Sequence, residues 1–386
     1  MKGIIICSIG IEAAAAQDVL EMTGSKTEIR EGCVIFDFKK FEDLCLLCYK
    51  SQSADRVGLL LGSFEFLSLP DEISRFIDSL DFCGIDFTNK KFKVECIRQG
   101  EHNFKSVDIE AIAPKLLKGK IAGAKADPKN FQILFLFYIQ NNTCHLCVDF
   151  SGFELNKREY KIFSHPSSLR GTIAYALARY AGFKKKDVML DPFSKDGIIP
   201  IECAFLALDF PCNYYRKNKF AFPKIGLEMD CDKFFESVDK RIRRGKVHIN
   251  GYDYLFKYVD YSKKNAKIAG VDKFINFSRV ELDLLDLKFK KGEIDRIITC
   301  PPTSKNINLD KIYNEFFYQA SYILSSRGTI SIISRIPDFV KTYASRHNLF
   351  PNKEMQVYSG EQQLHIIVFS PDYNGKSKSA AIARLL

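Results

Sequence analysis

From Asp187 onward the chain alternates strand-like and helix-like segments almost without interruption, and this regularity restricts the fold more than any other feature. KDVMLDPF leads into IPIECAFLAL, KVHINGYD into KYVDYSKKNAKIAG, and FINFSRVE into EIDRIITCPP. LDKIYNEFFYQASYIL, GTISIISR and PDFVKTYASRHN follow. Such alternation predicts a doubly wound, mostly parallel α/β sheet. The chain then runs through MQVYSG and LHIIVFS with only the polar EQQ between them. Parallel neighbours need a long crossover, so one of these last two strands is expected to be antiparallel to the rest.

The first half reads differently. GIIICSI, GCVIFDF and KKFKVECIRQG have strand patterns; IEAAAAQDVLEM and DEISRFIDSL have helical ones, the first stopped by Gly24. FQILFLFYIQ and CHLCVDFSG read as two strands joined by a turn at Asn141-Asn142. This is an α+β half with short elements. Residues 151–186 are polar and basic, a connector carrying Lys157, Arg158, Lys161, Arg170 and Arg179.

With 386 residues, 46% hydrophobic and 27% charged, the composition excludes a disordered, collagenous or fibrous chain. The formal charge of +10 permits a polyanionic partner without establishing one. The opening Met1–Ala16 superficially mimics a signal peptide, but Glu12 interrupts it, and a strand followed by a helix fits better. No window approaches the roughly 18 apolar residues of a membrane span, so a cytosolic protein with reduced thiols is expected. Of the 12 cysteines, Cys45/Cys48 and Cys144/Cys147 have C-x-x-C spacing. They lack the flanking turn residues of zinc sites and read as small buried apolar residues, with no metal expected.

In an open α/β sheet, ligands bind beyond the carboxyl ends of the strands. The first strand of the regular half ends in Asp191-Pro192-Phe193, then Ser194 to Gly197, then a helix with Pro200 in its first turn. A helix N-terminus attracts negatively charged groups. Asp253 ends the second strand and suits a ribose diol, which needs an acceptor. Glu281 and Asp283 end the third, with Asp286 beyond, where a carboxylate could accept from an adenine amine. Thr299-Cys300-Pro301-Pro302-Thr303 ends the fourth. A double proline there either presents carbonyls to a flat ring or simply terminates the strand.

Together these stretches resemble the THUMP-domain, class I S-adenosylmethionine-dependent RNA methyltransferases that modify the exocyclic amine of guanine. VMLDPFSKDGIIPIECA is similar to the family's cofactor loop DPFCGSGTIPIEAA, and IDRIITCPPT to its NPPY segment. GYDYLFKYVDYSKKNAKIAGV matches its second strand and helix, down to the NAKxAG ending. VDFSGFELNKREYKIFSHPSSLRGTIAYALARYAG is similar to the stretch that joins THUMP to the catalytic domain, and CSIGIEAAAAQDVLEM to the family's start. The likeness covers nearly the whole chain. It implies a ferredoxin-like module over 1–60, a THUMP-like RNA-binding domain over 61–155, a basic connector over 156–185 and a Rossmann-like methyltransferase domain over 186–386. It further implies S-adenosylmethionine as cofactor, held by Asp191, Phe193, Gly197, Asp253 and Glu281. The catalytic loop would be Cys300, Pro301, Pro302 and Thr303, and Lys157, Arg158 and Arg170 would meet structured RNA, with tRNA the expected substrate.

The implied chemistry needs no acid–base pair. The cofactor brings an activated methyl group. The protein must extrude the guanine and hold its amine in line, with the Cys300 and Pro301 carbonyls accepting from that amine. His165, the one histidine near the connector, reads as a turn or surface residue. The sequence departs from the family at three places. Lys195 stands where the family has its first loop glycine, and Leu255 where it has a second acid. Cys300 and Thr303 replace the asparagine and aromatic of NPPY. The lysine could point to solvent, pair with the cofactor carboxylate, or block the site. The sequence therefore supports a tRNA guanine-N2 methyltransferase, and alternatively an RNA-binding protein with a decayed active site.

Overall fold

The β-branched run after Lys2 forms β1 (Lys2–Ile6), followed by α1 (Glu12–Thr23), β2 (Thr27–Arg30), β3 (Cys33–Asp37), α2 (Phe41–Lys50) and β4 (Arg56–Glu65). The computed structural model describes residues 1–67, 69–304 and 306–371, with side chains at all of these except 69–71. Gly24 ends α1 in the left-handed region, φ 72°, and returns its N–H to Leu20 O. Only glycine does this without a Cβ penalty. These strands lie in the order β2-β3-β1-β4, all antiparallel, which is the ferredoxin-like arrangement.

α3 (Leu69–Asp78), β5 (Lys91–Gln99), α4 (Ser106–Lys120), β6 (Lys125–Ala126), β7 (Ile133–Gln140) and β8 (Thr143–Asp149) follow. β7 and β8 form the expected hairpin, turning at Asn141 with φ 49°. β4 pairs with β1 along one edge and with β8 along the other, so a single sheet runs β2-β3-β1-β4-β8-β7-β5-β6. The expected division at residue 60 therefore falls inside β4. The two modules share one backbone ladder and cannot part without breaking it.

The second unit begins at Glu159. α5 (Gly171–Tyr180), β9 (Val188–Asp191) and α6 (Ile198–Leu208) open it. The chain then returns to the first unit: Phe210–Ile242, with α7 (Phe222–Ile225) and α8 (Cys231–Asp239), belongs with Met1–Arg158. The continuous span 186–386 expected for one domain is thus interrupted. An aromatic cluster is the physical reason. Tyr49 of α2 meets Phe235 edge-on at 4.9 Å and donates to Asp239 at 2.7 Å, and Phe220 stacks on Phe222. Burial and ring packing of this kind outweigh chain continuity.

The second unit resumes with β10 (His248–Asp253), α9 (Phe256–Ala269), β11 (Ile275–Arg279), α10 (Leu285–Lys288) and β12 (Ile294–Thr299). α11 (Leu309–Ile323), β13 (Leu324–Ser334), α12 (Pro337–Arg346), β14 (Leu349–Ser359) and β15 (Gln362–Pro371) complete it. The short α10 lies where the sequence suggested strand running directly to strand. The order is β11-β10-β9-β12-β13-β15-β14, parallel except for β15, which is antiparallel to both neighbours. The reversed strand expected at the end is therefore the last one. Leu190, Ile297, Ile330, Phe316, Phe317 and Ile367 fill the core against α11. Strand order reverses between β9 and β12, and that crevice is where a ligand is expected in such a sheet. Among the described residues, no helix is long and apolar enough to cross a membrane.

Candidate active site

Asp191 closes β9 and is fully buried. Its Oδ1 accepts from Phe193 N at 3.1 Å and from Thr299 Oγ1 at 2.6 Å, while Oδ2 has no hydrogen-bond partner among the described residues. Burial pushes its carboxyl up to about 7. The Phe193 ring packs on Phe316 at 5.6 Å, so at this loop the residue contributes chiefly its backbone.

The loop after β9 is tied down along most of its length. Ser194 N donates to Tyr252 O at 2.8 Å, Lys195 N to Asp253 Oδ2 at 3.1 Å, and Gly197 N to Ser194 O at 2.7 Å. Ser262 Oγ of α9 donates to Lys195 O at 3.0 Å. Gly197 has φ 81°, and a Cβ there would come within 2.9 Å of Ser262 Cβ. Glycine at 197 thus lets α6 begin hard against α9. Lys195, by contrast, sits in the left-handed region with φ 53°. A side chain there costs about 1 kcal/mol, which the hydrogen bonds of this loop must hold in place.

Asp253, 5% exposed, is the partner of two backbone amides, Lys195 N and Leu255 N at 3.0 Å. Burial pushes its carboxyl up. A carboxylate has about four lone-pair sites, so both oxygens can still accept a ligand hydroxyl. Glu281 lies one strand further out, with its exposed side chain 3.6 Å from Arg279. The two strand ends are joined by Val280 N donating to Asp253 O at 3.2 Å and Arg279 Nε to Tyr254 O at 3.0 Å.

On the other side of β9, β12 delivers Cys300, Pro301, Pro302 and Thr303. Pro301 is buried and the other three are half-buried. Tyr313 donates to Pro302 O at 3.2 Å, one residue beyond the two carbonyls expected to accept. Lys195 reaches this loop: its Nζ lies 3.3 Å from Cys300 Sγ, and the residue is only 8% exposed. The side chain spans the switch point from the β9 loop to the end of β12. Of the three possibilities left open for Lys195, pointing to solvent is excluded.

The structure also assembles groups that single residues in the sequence did not announce. Asn265 of α9, 1% exposed, donates through Nδ2 to Phe163 O at 2.8 Å and to Asp196 O at 2.9 Å, and accepts from Phe163 N at 3.1 Å. His165 N donates to Asp196 Oδ2 at 3.2 Å, and its ring meets Tyr258 edge-on at 4.5 Å. His165 Nδ1 accepts from Ser167 N at 2.9 Å, so it is a turn residue as expected. The connector is thereby fastened to the β9 loop. Asn265 was within the quoted NAKxAG ending, but its role was not legible there.

The basic candidates separate. Arg170 is exposed at the N-terminus of α5. Lys157 is largely exposed beside Glu154. Arg158 differs from the expectation: it is 6% exposed, and its guanidinium donates to Leu155 O and Gln52 O, both at 2.7 Å. It is an internal staple of the first unit. The C-x-x-C thiols are likewise internal. Cys45 contacts Met229 Sδ at 3.7 Å, Cys48 lies 3.8 Å from Ser151 Oγ, and burial pushes Cys45, Cys48, Cys144 and Cys147 up. Among the described residues, no group of three or more His, Cys, Asp or Glu could hold a metal ion.

A seven-stranded sheet with a reversed last strand, a glycine-headed helix after the first strand and acids at the first two strand ends defines a Rossmann-like methyltransferase. The chain belongs to the RMKL-like methyltransferase domain family (UPF0020), matched over residues 158–365, and residues 71–149 match the THUMP domain. It is 28% identical over 380 residues to the tRNA (guanine(6)-N2)-methyltransferase of Methanocaldococcus jannaschii, covering 93% of this chain and 97% of that one. It is 26% identical over 337 residues to the enzyme of the same name from Archaeoglobus fulgidus, covering 84% and 81%. Among solved structures, a possible methylase from Clostridium difficile 630 superposes with a TM-score of 0.80 at 21% identity, covering 97% and 98%. The SMU.472 chain complexed with SAH gives 0.79 at 19%, also covering 97% and 98%.

Proposed function

We propose that this chain transfers a methyl group from S-adenosylmethionine to the exocyclic amine of a guanine in tRNA. The observation that carries this reading is the end-to-end likeness to the M. jannaschii tRNA (guanine(6)-N2)-methyltransferase, over 93% of this chain and 97% of that one. Guanine 6 is accordingly the first target to test.

The crevice fits the cofactor on its own terms. Asp191 Oδ2, Ser194 Oγ and Asp196 Oδ1 are buried polar atoms without hydrogen-bond partners among the described residues, clustered on one loop. Such atoms are costly unless a ligand completes them. In this reading Asp191 accepts from the cofactor ammonium, Asp253 accepts the ribose hydroxyls, Gly197 heads the helix beside them, and Glu281 lies on the adenine side. When bound, S-adenosylmethionine supplies the methyl group in activated form. The loop Cys300-Pro301-Pro302-Thr303 then has to orient the amine. Its prolines remove two N–H donors, which leaves carbonyls facing a group that can only be held by acceptors. Arg170 and Lys157 are the exposed cations assigned to RNA phosphates. A cytosolic location belongs to the same proposal, in keeping with free thiols at every cysteine.

The test is methyl uptake from labelled S-adenosylmethionine into tRNA transcripts carrying guanosine or inosine at position 6. Inosine lacks the exocyclic amine. Uptake with guanosine and none with inosine is expected. RNA binding without uptake on any transcript would instead identify a non-catalytic RNA-binding protein.

A further inference from the structure

The crevice contains a cation that, among the described residues, no carboxylate pairs with directly. Lys195 is 8% exposed, yet its ammonium has a thiol, Cys300 Sγ at 3.3 Å, as its hydrogen-bond partner, and among the described residues no carboxylate forms an ion pair with it. A thiol is a weak acceptor. A buried ammonium without an anionic partner is strongly disfavoured. Asp191 and Asp253 feel the lysine's charge, which draws both carboxyls down against burial, but neither forms an ion pair with it. Each Asp253 oxygen accepts one backbone N–H, from Lys195 and from Leu255, and its remaining lone pairs are the ones assigned to ribose hydroxyls. Asp191 Oδ1 is held by Thr299 and Phe193, and Oδ2 is itself left without a hydrogen-bond partner among the described residues.

The backbone of Lys195 cannot relieve the imbalance by moving. Its N–H is fixed to Asp253 and its carbonyl to Ser262. Only the side chain can reorient, and it lies across the switch point. Among the described residues, one crevice therefore holds an ammonium without a direct ion pair and a carboxylate oxygen without a hydrogen-bond donor. That pair is complementary to the two ends of a zwitterionic α-amino acid.

We propose that Lys195 is a carboxylate subsite for the amino-acid end of the cofactor. Lys195 leaves Cys300 to make this ion pair. The inference rests on the proposed function for its ligand. Among the charged groups of the cofactor, the carboxylate is the one anion, since the ammonium and the sulfonium are cations. The other anion that could reach a buried lysine here is an RNA phosphate, and the same experiment separates the two.

Calorimetric titration of the full chain would compare S-adenosylhomocysteine with its carboxamide, in which NH2 replaces one carboxylate oxygen and the negative charge is lost. The native chain should bind the acid roughly tenfold or more tightly than the amide, the scale of a hydrogen bond to a charged group. In Lys195→Met that gap should close to within about twofold, and Lys195→Arg should restore part of it. Equal affinity of the native chain for acid and amide would overturn the proposal without needing any variant. So would a gap that persists in Lys195→Met, or acid binding that tightens there, since the lysine would then be an obstruction. A loss of tRNA affinity in Lys195→Met with the acid–amide gap intact would reassign the cation to phosphate. If neither ligand binds the native chain, the proposed function falls together with the subsite. If both bind and only the lysine dependence fails, the function stands.

Discussion

Thr299 Oγ1 donates to Asp191 Oδ1 at 2.6 Å and so joins the carboxyl ends of β12 and β9, the two strands flanking the switch point. Both residues are fully buried, so neither group has water to fall back on. Thr299→Val removes the donor at nearly constant volume. It should lower the unfolding free energy by about 1–3 kcal/mol. It should also move the Asp191 carboxyl further up, because the lost bond favoured its charged form. An unchanged urea midpoint would mean the bond contributes nothing to stability.

Asp191 also gives the chain a specific pH dependence. The folded protein releases this proton near 7, whereas the ordinary value is 3.8. Between those values the folded state binds more protons than the unfolded one. Stability from this group is therefore fully present below about 3.8, falls as pH rises towards 7, and levels off above. Asp191→Asn does not ionise, so its stability relative to the native chain should improve by roughly 2–4 kcal/mol between pH 4 and pH 8. Binding should run the other way. An ionised Asp191 is the better acceptor for a ligand ammonium, so S-adenosylhomocysteine affinity should rise as pH approaches 7 and then flatten. Parallel stability curves for the two proteins, or a binding curve flat from pH 5 to 8, would contradict this.

Much of this site could be read before the fold. The strand-end acids Asp191 and Asp253 follow from alternation and from a ligand's need for acceptors, and the reversed last strand from the short EQQ link. Other parts depend on partners distant in sequence. Nothing near Thr299 signals that its hydroxyl completes Asp191. Asn265 acts by bonding Phe163, which lies in the connector, and Asp196, in the cofactor loop. The return of Phe210–Ile242 to the first unit rests on rings that meet Tyr49. Helical periodicity in that stretch indicates which residues are buried, but not against what.

Arg158 and Lys157 are adjacent basic residues with opposite expectations. Arg158 satisfies two buried carbonyls, Leu155 O and Gln52 O. Arg158→Ala should destabilise the chain by about 2–4 kcal/mol, through two charged hydrogen bonds and the unsatisfied acceptors left behind. Lys157 is exposed and pairs with Glu154, so Lys157→Ala should change stability by less than about 0.5 kcal/mol. If Lys157 touches phosphate, its loss should weaken tRNA binding and reduce the salt slope by about one. Denaturation and anisotropy at several salt concentrations separate the two roles. Equal destabilisation by both substitutions would refute the assignment of Arg158 as a staple.

Asn265 offers the sharpest test of how the connector supports the crevice. One buried amide holds both backbone groups of Phe163 and the carbonyl of Asp196, while His165 N reaches the Asp196 carboxylate from the same turn. Losing the amide takes a partner from the buried Asp196 carbonyl and from two part-buried backbone groups of Phe163, and frees the loop that carries Lys195. Asn265→Ala should therefore weaken S-adenosylhomocysteine by about tenfold even though Asn265 need not touch it. Asn265→Asp discriminates between shape and bonding. It keeps the acceptor for Phe163 N but removes both donors and adds a charge facing two carbonyls, so it should be at least as damaging as alanine. Hydrogen exchange at Asp196 and Gly197 should speed up in both variants, while amides in β13 and β15 keep their protection. Faster exchange throughout the sheet would show general destabilisation instead, and unchanged exchange with normal affinity would show that the β9 loop keeps its position without the connector.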